Sequence, residues 1–335
     1  MRAAKSRLLR VAVAIPLLAG GAMAEAPTPP PPVATATPRQ QELEQILASL
    51  ASLGGGRVGV AAIDVGSGRM VAVHGNEPFP MASTYKVAVA ATFLHAVEMG
   101  QFRIDGIVEV DPDDRFGSDR LRDEVPGPGM QMGAMSLIGL MLRYSDNSAT
   151  DTMLRLIGGP AAVARWLRSA GLAGLRVDRN TAELILESEG HTADPGATAA
   201  ATIRRRGGEG RTPINPAFDA DPRDSSTPVA MAVLLARLAR GELLNSVNTG
   251  YLLGVMERCE TGGRRARAFL PEGTRFAHKT GTLAGIGNDV GVLTLSDGRR
   301  VALAIFVRGI YPVQLRNAIA AEAGRTLYEG MARLP

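Results

Sequence analysis

The chain is nearly devoid of the residues that staple a fold or hold a metal. Among 335 residues there is one cysteine, Cys259, and there are four histidines. A single cysteine excludes an internal disulfide and any thiolate metal cluster. The histidines do not recur at metal-ligand spacing. Nothing in the sequence calls for a metal or an organic cofactor. Aromatic residues are scarce at 4%, yet 45% hydrophobic and 21% charged residues give an ordinary globular composition. That excludes a disordered, collagenous or coiled-coil chain. Charge of one sign is lacking too. The formal net charge of +4 is carried by Arg2, Lys5, Arg7 and Arg10 alone, which leaves 33 basic and 33 acidic residues downstream. A neutral body argues against nucleic acid or an anionic membrane as the main partner. Long apolar runs are also missing. The stretch Val11–Met23 is too short to span a bilayer comfortably and contains Pro16.

That stretch instead reads as an export signal over residues 1–24. A basic start precedes the apolar run, and Ala22-Met23-Ala24 supplies a small-x-small cleavage pattern, so the mature chain is expected to begin at Glu25. No membrane span is expected after cleavage. Residues 25–38 form a Pro-rich linker.

The body, 39–335, has a readable order. Apolar positions Leu43, Ile46, Leu47, Leu50 and Leu53 recur at helical spacing and stop at Gly54-Gly55-Gly56. Two β-rich runs, 57–64 and 70–74, flank a Gly66-Ser67-Gly68 turn. Helical periodicity marks 83–99, 134–157, 160–170 and 228–240. Three late β-rich runs cover 275–282, 289–295 and 301–308, with turns at 285–288 and 297–298, and an amphipathic helix covers 313–332. The pattern predicts an α+β fold: one five-stranded antiparallel sheet built from both chain ends, with terminal helices packed on it, and an all-helical lobe. The sheet lobe would take 39–80 and 260–335, and the helical lobe 81–259. Residues 185–224 are rich in glycine and proline and carry Arg204-Arg205-Arg206. They read as an inserted loop, with the arginines on a solvated face.

Three short motifs carry chemistry. In Ser83-Thr84-Tyr85-Lys86 the serine and lysine lie three apart on one helical face. An amine lowered in pKa can take the proton of a hydroxyl nucleophile. Taken alone, Ser83 reads equally well as a helix N-cap. Ser145-Asp146-Asn147 sits between two apolar helical stretches, and Lys279-Thr280-Gly281-Thr282 sits in a β-rich run. Each is unremarkable by itself. In this order the three match the set found in class A β-lactamases and penicillin-binding proteins.

From about residue 39 to 333 the chain resembles the class A serine β-lactamases. Further likeness lies in Phe79-Pro80-Met81-Ala82, Ile157-Gly158-Gly159-Pro160, Asp178-Arg179, Arg223-Asp224 and Gly241-Glu242-Leu243-Leu244. The resemblance implies roles. Ser83 would form an acyl-enzyme, Lys86 would accept or support its proton, and Ser145 would pass a proton to the leaving nitrogen. The Ser83 and Thr282 backbone N–H groups would form an oxyanion hole. Lys279, Thr280, Gly281 and Thr282, with Arg265, would hold the substrate carboxylate, and Asn147 the acyl side chain. Arg179 and Asp224 would pair across a loop neck. A β-lactam would be the substrate of a periplasmic, monomeric hydrolase. The alternatives are a D-alanyl-D-alanine peptidase of the penicillin-binding protein kind and a slowly deacylating β-lactam sensor.

One position departs from the family. Counting without gaps from Gly158 to Arg179 puts Thr181 where the family has its water-activating glutamate, and Ile185 where it has an asparagine. A two-residue shift would make Glu183 the base. Glu187, Glu189, His191 and Asp194 are substitutes from the insertion.

Overall fold

The computed structural model describes residues 36–116, 129–206 and 215–335. The export signal and nearly all of the Pro-rich linker lie outside the described residues. In the body, α1 (Pro38–Ala51) comes first; Thr37 caps it, accepting a hydrogen bond from the Gln40 N–H. Gly54, at φ +83°, supplies the left-handed turn that leads out of it. Then come β1 (Arg57–Asp64), β2 (Met70–Val73), β3 (Phe79–Pro80), α2 (Lys86–Glu98), β4 (Ile107–Val110) and β5 (Met130–Gly133). Helices α3 (Ala134–Arg143), α4 (Asn147–Ile157), α5 (Pro160–Ser169), α6 (Thr181–Ser188), α7 (Ala199–Arg205) and α8 (Pro216–Asp219) precede β6 (Ser225–Ser226). The chain ends with α9 (Pro228–Arg240), α10 (Ser246–Glu257), β7 (Phe276–Leu283), β8 (Ile286–Thr294), β9 (Arg300–Arg308) and α11 (Val313–Arg333).

Five strands make one antiparallel sheet in the order β2-β1-β9-β8-β7. Successive side chains leave opposite faces of a strand. Along β9, Val301, Leu303, Ile305 and Val307 pack with Leu43 and Leu47 of α1 and Ile319 and Leu327 of α11. Ala302, Ala304 and Phe306 join the larger core on the other face, with Met231 and Leu235 of α9 and Leu94 of α2. Both faces are covered, so the strand reads as unbroken apolar sequence rather than as an alternation.

Three expectations are corrected. The helical lobe also carries strands: β4 pairs with β5, and β6 pairs with β3. β3 and β6 have two residues each, too few for a period to register. The late turn is shorter than 285–288, because Leu283 already pairs with Ile286 and a two-residue hairpin with Gly285 at φ +68° closes it. The described part of 185–224 is not all loop; nearly half of it is helical. It holds the end of α6, then α7 and α8. Thr198 caps α7 by accepting from the Ala201 N–H. Ala199, Ala200 and Ile203 then cover Ala182, Ile185 and Leu186 in a small core of their own. The three arginines are exposed, as expected of a solvated face, and each has a partner there. Arg204 donates to the carbonyls of Pro112 and Arg115, Arg205 binds Asp194, and Arg206 meets His191. Residues 207–214 lie outside the described residues.

Candidate active site

The S-x-x-K serine stands where β3 turns into α2. A single 3-10 turn, Ala82–Tyr85, feeds the helix, and Ala82 is held at φ +46°. A non-glycine residue there is strained and persists only when its surroundings impose it. Here the surroundings are tight. Met81 N–H donates to the Asp224 carbonyl, and Asn288 Nδ2 donates to the carbonyls of Pro80 and Met81. Strand β7 presses on the same turn at Gly281, where a Cβ would overlap the Met81 carbonyl oxygen. That is the physical reason for glycine in K-T-G.

Ser145 has the same kind of backbone, at φ +64°. This turn aims its two ends at two lysines. Its carbonyl accepts from Lys86 Nζ at 2.7 Å, and its Oγ accepts from Lys279 Nζ at 2.9 Å. Lys86 also donates to Asn147 Oδ1 at 2.7 Å. The Asp146 side chain caps α4 by accepting from Ala149 N–H at 2.7 Å. The three motifs thus meet through hydrogen bonds around Ser145.

Both lysines are fully buried. Burial pushes the Lys279 ammonium down to about 7, and the nearby Lys86 charge pushes the same way. Beneath Lys279 lies a second buried group that sequence reasoning missed. His278 shares its ring nitrogen Nδ1 with Asp289 Oδ1 at 2.8 Å. Burial disfavours the imidazolium, yet Asp289 and Cys259 hold it up at about 9. Burial raises the Cys259 thiol, but His278, Lys279 and Thr261 together bring it to about 7.

Arg265 is buried and satisfied from within. It donates to the carbonyls of Gly281 and Asn288 at 2.9 and 3.0 Å, and to Thr282 Oγ1 at 2.7 Å. It therefore braces Thr282 and the end of β7 from behind. Thr280 is bound to Thr261, hydroxyl to hydroxyl, at 2.6 Å.

Beside Ser83 is a cleft of about 60 Å3, roomy enough for a water molecule. It is lined by Ala82, Ser83, Tyr85, Asn147, Thr181, Leu184, Ile185, Thr282 and Leu283. No carboxylate is among these residues. Glu183, expected as a base, is not there. It occupies the third position of α6, and its carboxylate turns back to accept the Asn180 N–H at 3.0 Å while Asn180 Oδ1 accepts the Glu183 N–H. This capping box points Glu183 to solvent. Thr181, and not Glu183, lines the cleft. Other carboxylates of the segment are taken by arginines: Glu187 by Arg179 and Arg223, Asp194 by Arg205. His191 meets Arg206, and Glu189 is not part of the lining.

The loop neck is a dense ion pair. Arg179 Nε meets Asp224 Oδ2 at 2.6 Å, both groups buried, and Asp224 Oδ1 accepts the Asp178 and Arg179 N–H groups. Two further groups escaped the sequence reading. Tyr85 Oη lies 2.7 Å from Thr181 Oγ1. Asp151, fully buried, accepts the Thr181 N–H at 2.7 Å and the Ala182 N–H at 3.0 Å. The signal was present: Asp151 lies four residues after Asn147 on α4, and therefore on the same helical face.

Comparison with known proteins follows the same outline. The sequence model of the β-lactamase enzyme family matches residues 39–331. The chain is 28% identical to β-lactamase OXY-2 of Klebsiella oxytoca over 97% of its own length and 98% of that protein. It is 32% identical to β-lactamase SME-1 of Serratia marcescens, covering 71% of each. Among solved structures, an ancestral (GNCA) class A β-lactamase superposes with a TM-score of 0.73 at 31% identity, over 86% of this chain and 99% of that one. The match spans both lobes and every strand of the sheet, and the chain belongs to the class A serine β-lactamase family.

Proposed function

We propose that this protein hydrolyses β-lactams through an acyl-enzyme on Ser83. The observation that carries this reading is the convergence of Lys86, Ser145 and Lys279 beside the Ser83 cleft. The relatives' names as β-lactamases support it. Ser83 Oγ attacks the amide carbonyl, and Lys86, one helical turn on, accepts its proton or supports that transfer electrostatically. Ser145, between the two lysines, hands a proton to the departing nitrogen. The Ser83 and Thr282 N–H groups at the cleft receive the developing oxyanion, each donor worth roughly 3 kcal/mol in other enzymes. Lys279, with Thr280, Gly281 and Thr282 backed by Arg265, binds the substrate carboxylate. Asn147 meets the acyl side chain. Every one of these groups comes from one chain, so a monomer suffices. We read the chain as exported to the periplasm, with cleavage after Ala24.

A D-alanyl-D-alanine peptidase is the second reading. The observation favouring it is the cleft lining without a carboxylate.

The test is a stopped-flow and intact-mass time course with excess benzylpenicillin. Continuing turnover, with the mass returning to that of free enzyme, is the expected result. A stoichiometric burst that leaves a stable adduct would favour the second reading or a sensor. Ser83→Ala should abolish covalent labelling; labelling that survives would remove Ser83 as the nucleophile.

A further inference from the structure

We infer that the Thr181 hydroxyl, with Asp151 behind it and Tyr85 beside it, activates the water that releases the acyl-enzyme. The inference rests on the Ser83 acyl-enzyme proposed above and supplies the step that proposal leaves without a base.

The geometry has four parts. Thr181 lines the cleft together with Ser83, so a water in that space can touch both. Tyr85 Oη is 2.7 Å from Thr181 Oγ1. The Asp151 carboxylate grips the same residue, taking the N–H groups of Thr181 and Ala182 at 2.7 and 3.0 Å, and the nearby Thr181 hydroxyl helps to stabilise its charge. Glu183, Glu187 and Asp194 are held elsewhere.

Proton counting then orders the chain. A hydroxyl has one proton to give and two lone pairs to receive. An ionised carboxylate only accepts, so Thr181 donates to Asp151. Tyr85 then donates to Thr181 Oγ1. One lone pair of Oγ1 is left, on a residue that lines the cleft. It can accept a proton from a water positioned there.

Asp151 suits the end of such a relay. Burial lifts its carboxyl to about 7, against the pull of the three Thr181 and Ala182 donors. Asp114, the next carboxylate acting on it, pushes the same way. A base poised near neutral pH is the most effective proton acceptor at that pH.

The step balances. The water oxygen bonds to the acyl carbon, and the carbonyl electron pair moves to its oxygen at the Ser83 and Thr282 N–H groups. One water proton passes to Thr181 Oγ1, and the Thr181 proton passes to Asp151. Collapse breaks the bond to Ser83 Oγ, and the proton returns from Asp151 through Thr181 to that oxygen. The product acid and free enzyme result.

The experiment compares Thr181→Val with Thr181→Ser in rapid-mixing and intact-mass runs with benzylpenicillin. Valine keeps the shape and the N–H bond to Asp151 but has no hydroxyl; serine keeps the hydroxyl. Thr181→Val should acylate at the parent rate, accumulate adduct, and deacylate at least about 100-fold more slowly, the usual loss for a general base. Thr181→Ser should recover most of the lost rate. Asp151→Asn should show the same split as Thr181→Val, with adduct accumulating behind normal acylation. Parent-like turnover in Thr181→Val would overturn the inference, and so would a serine variant as slow as the valine one. Absence of both turnover and adduct in the parent and all variants would overturn the Ser83 reading itself, a different failure visible in the same data.

Discussion

Ser145 fixes the electrostatics of the site, because its carbonyl and its hydroxyl each engage a different lysine. Two ammonium groups so close and so buried cannot both stay comfortably charged, and Lys279 yields, down to about 7. The groups bearing on it are Lys86 and Arg265, which lower it, and Cys259 and Asp289, which raise it. The sign of the consequence follows. Lys279 is cationic below about pH 7 and neutral above, and only the cation attracts a carboxylate. For a carboxylate-bearing penicillin, kcat/KM should therefore fall as pH rises through 7, with the loss in KM. A flat profile from pH 6 to 9 would show that another group carries that attraction. Glu183 invites the opposite expectation. Its carboxylate caps a helix, and glutamine serves a capping box as well. Glu183→Gln should leave kcat within twofold, and a hundredfold loss would return Glu183 to the reaction. The residues of the three motifs were legible from sequence because serine, lysine and glycine recur at fixed spacing. Tyr85 and Asp151 were not, since their meaning lies in a hydrogen bond to Thr181, 96 and 30 residues away.

At the scale of the element, α6 decides what the cleft contains. Its start is set by Asn180 as cap, by Asp151 holding the first two N–H groups, and by Arg179 locked to Asp224 just before it. A one-residue slip of this helix would rotate Thr181 out of the cleft. The lock is buried: Arg179 is 3% and Asp224 1% exposed. Removing one partner of such a pair leaves the other charge uncompensated, at a cost of about 3–5 kcal/mol. Asp224→Ala also frees the Asp178 and Arg179 N–H groups that its carboxylate holds. It should lower stability to urea by that amount and slow deacylation more than acylation. A cost under about 1 kcal/mol would mean that Glu187 and Asp221, the other carboxylates on Arg179, hold the neck without it. The sequence showed α2 to α5 and α9 by their 3.6-residue period. It did not mark α6, α8 or α10, nor α7, whose seven residues give barely two turns, nor the short strands β3 to β6, which owe their existence to tertiary contact.

Across the whole molecule, the first and last thirds of the chain build one sheet, and the middle supplies most of the helices around the site. Residues 37–335 form a single compact unit. β1, from the start, pairs with β9, from the end, along its full length from Arg57↔Arg308 to Asp64↔Val301. α1 then lies against α11 over the outer face, so the terminal helices complete each other's core. This closure was readable in advance, because two β-rich runs early and three late leave an incomplete sheet unless they join. It also sets where the chain tolerates shortening. Removal of residues 1–36 keeps Thr37, which caps α1, and should leave the melting temperature and the turnover of benzylpenicillin unchanged. Removal of residues 1–51 strips Leu43 and Leu47 from the face of β9. Each such leucine contributes about 2–5 kcal/mol when buried. Against a total stability of about 5–15 kcal/mol, losing both puts the fold at its limit. That variant should melt far lower and lose acylation of Ser83 with the fold, because β7, which shapes the Ser83 turn, belongs to the same sheet. If it instead kept the parent's melting temperature and labelled fully with penicillin, the sheet would be stable without its outer cover, and the two-sided core described above would not be what holds the site together.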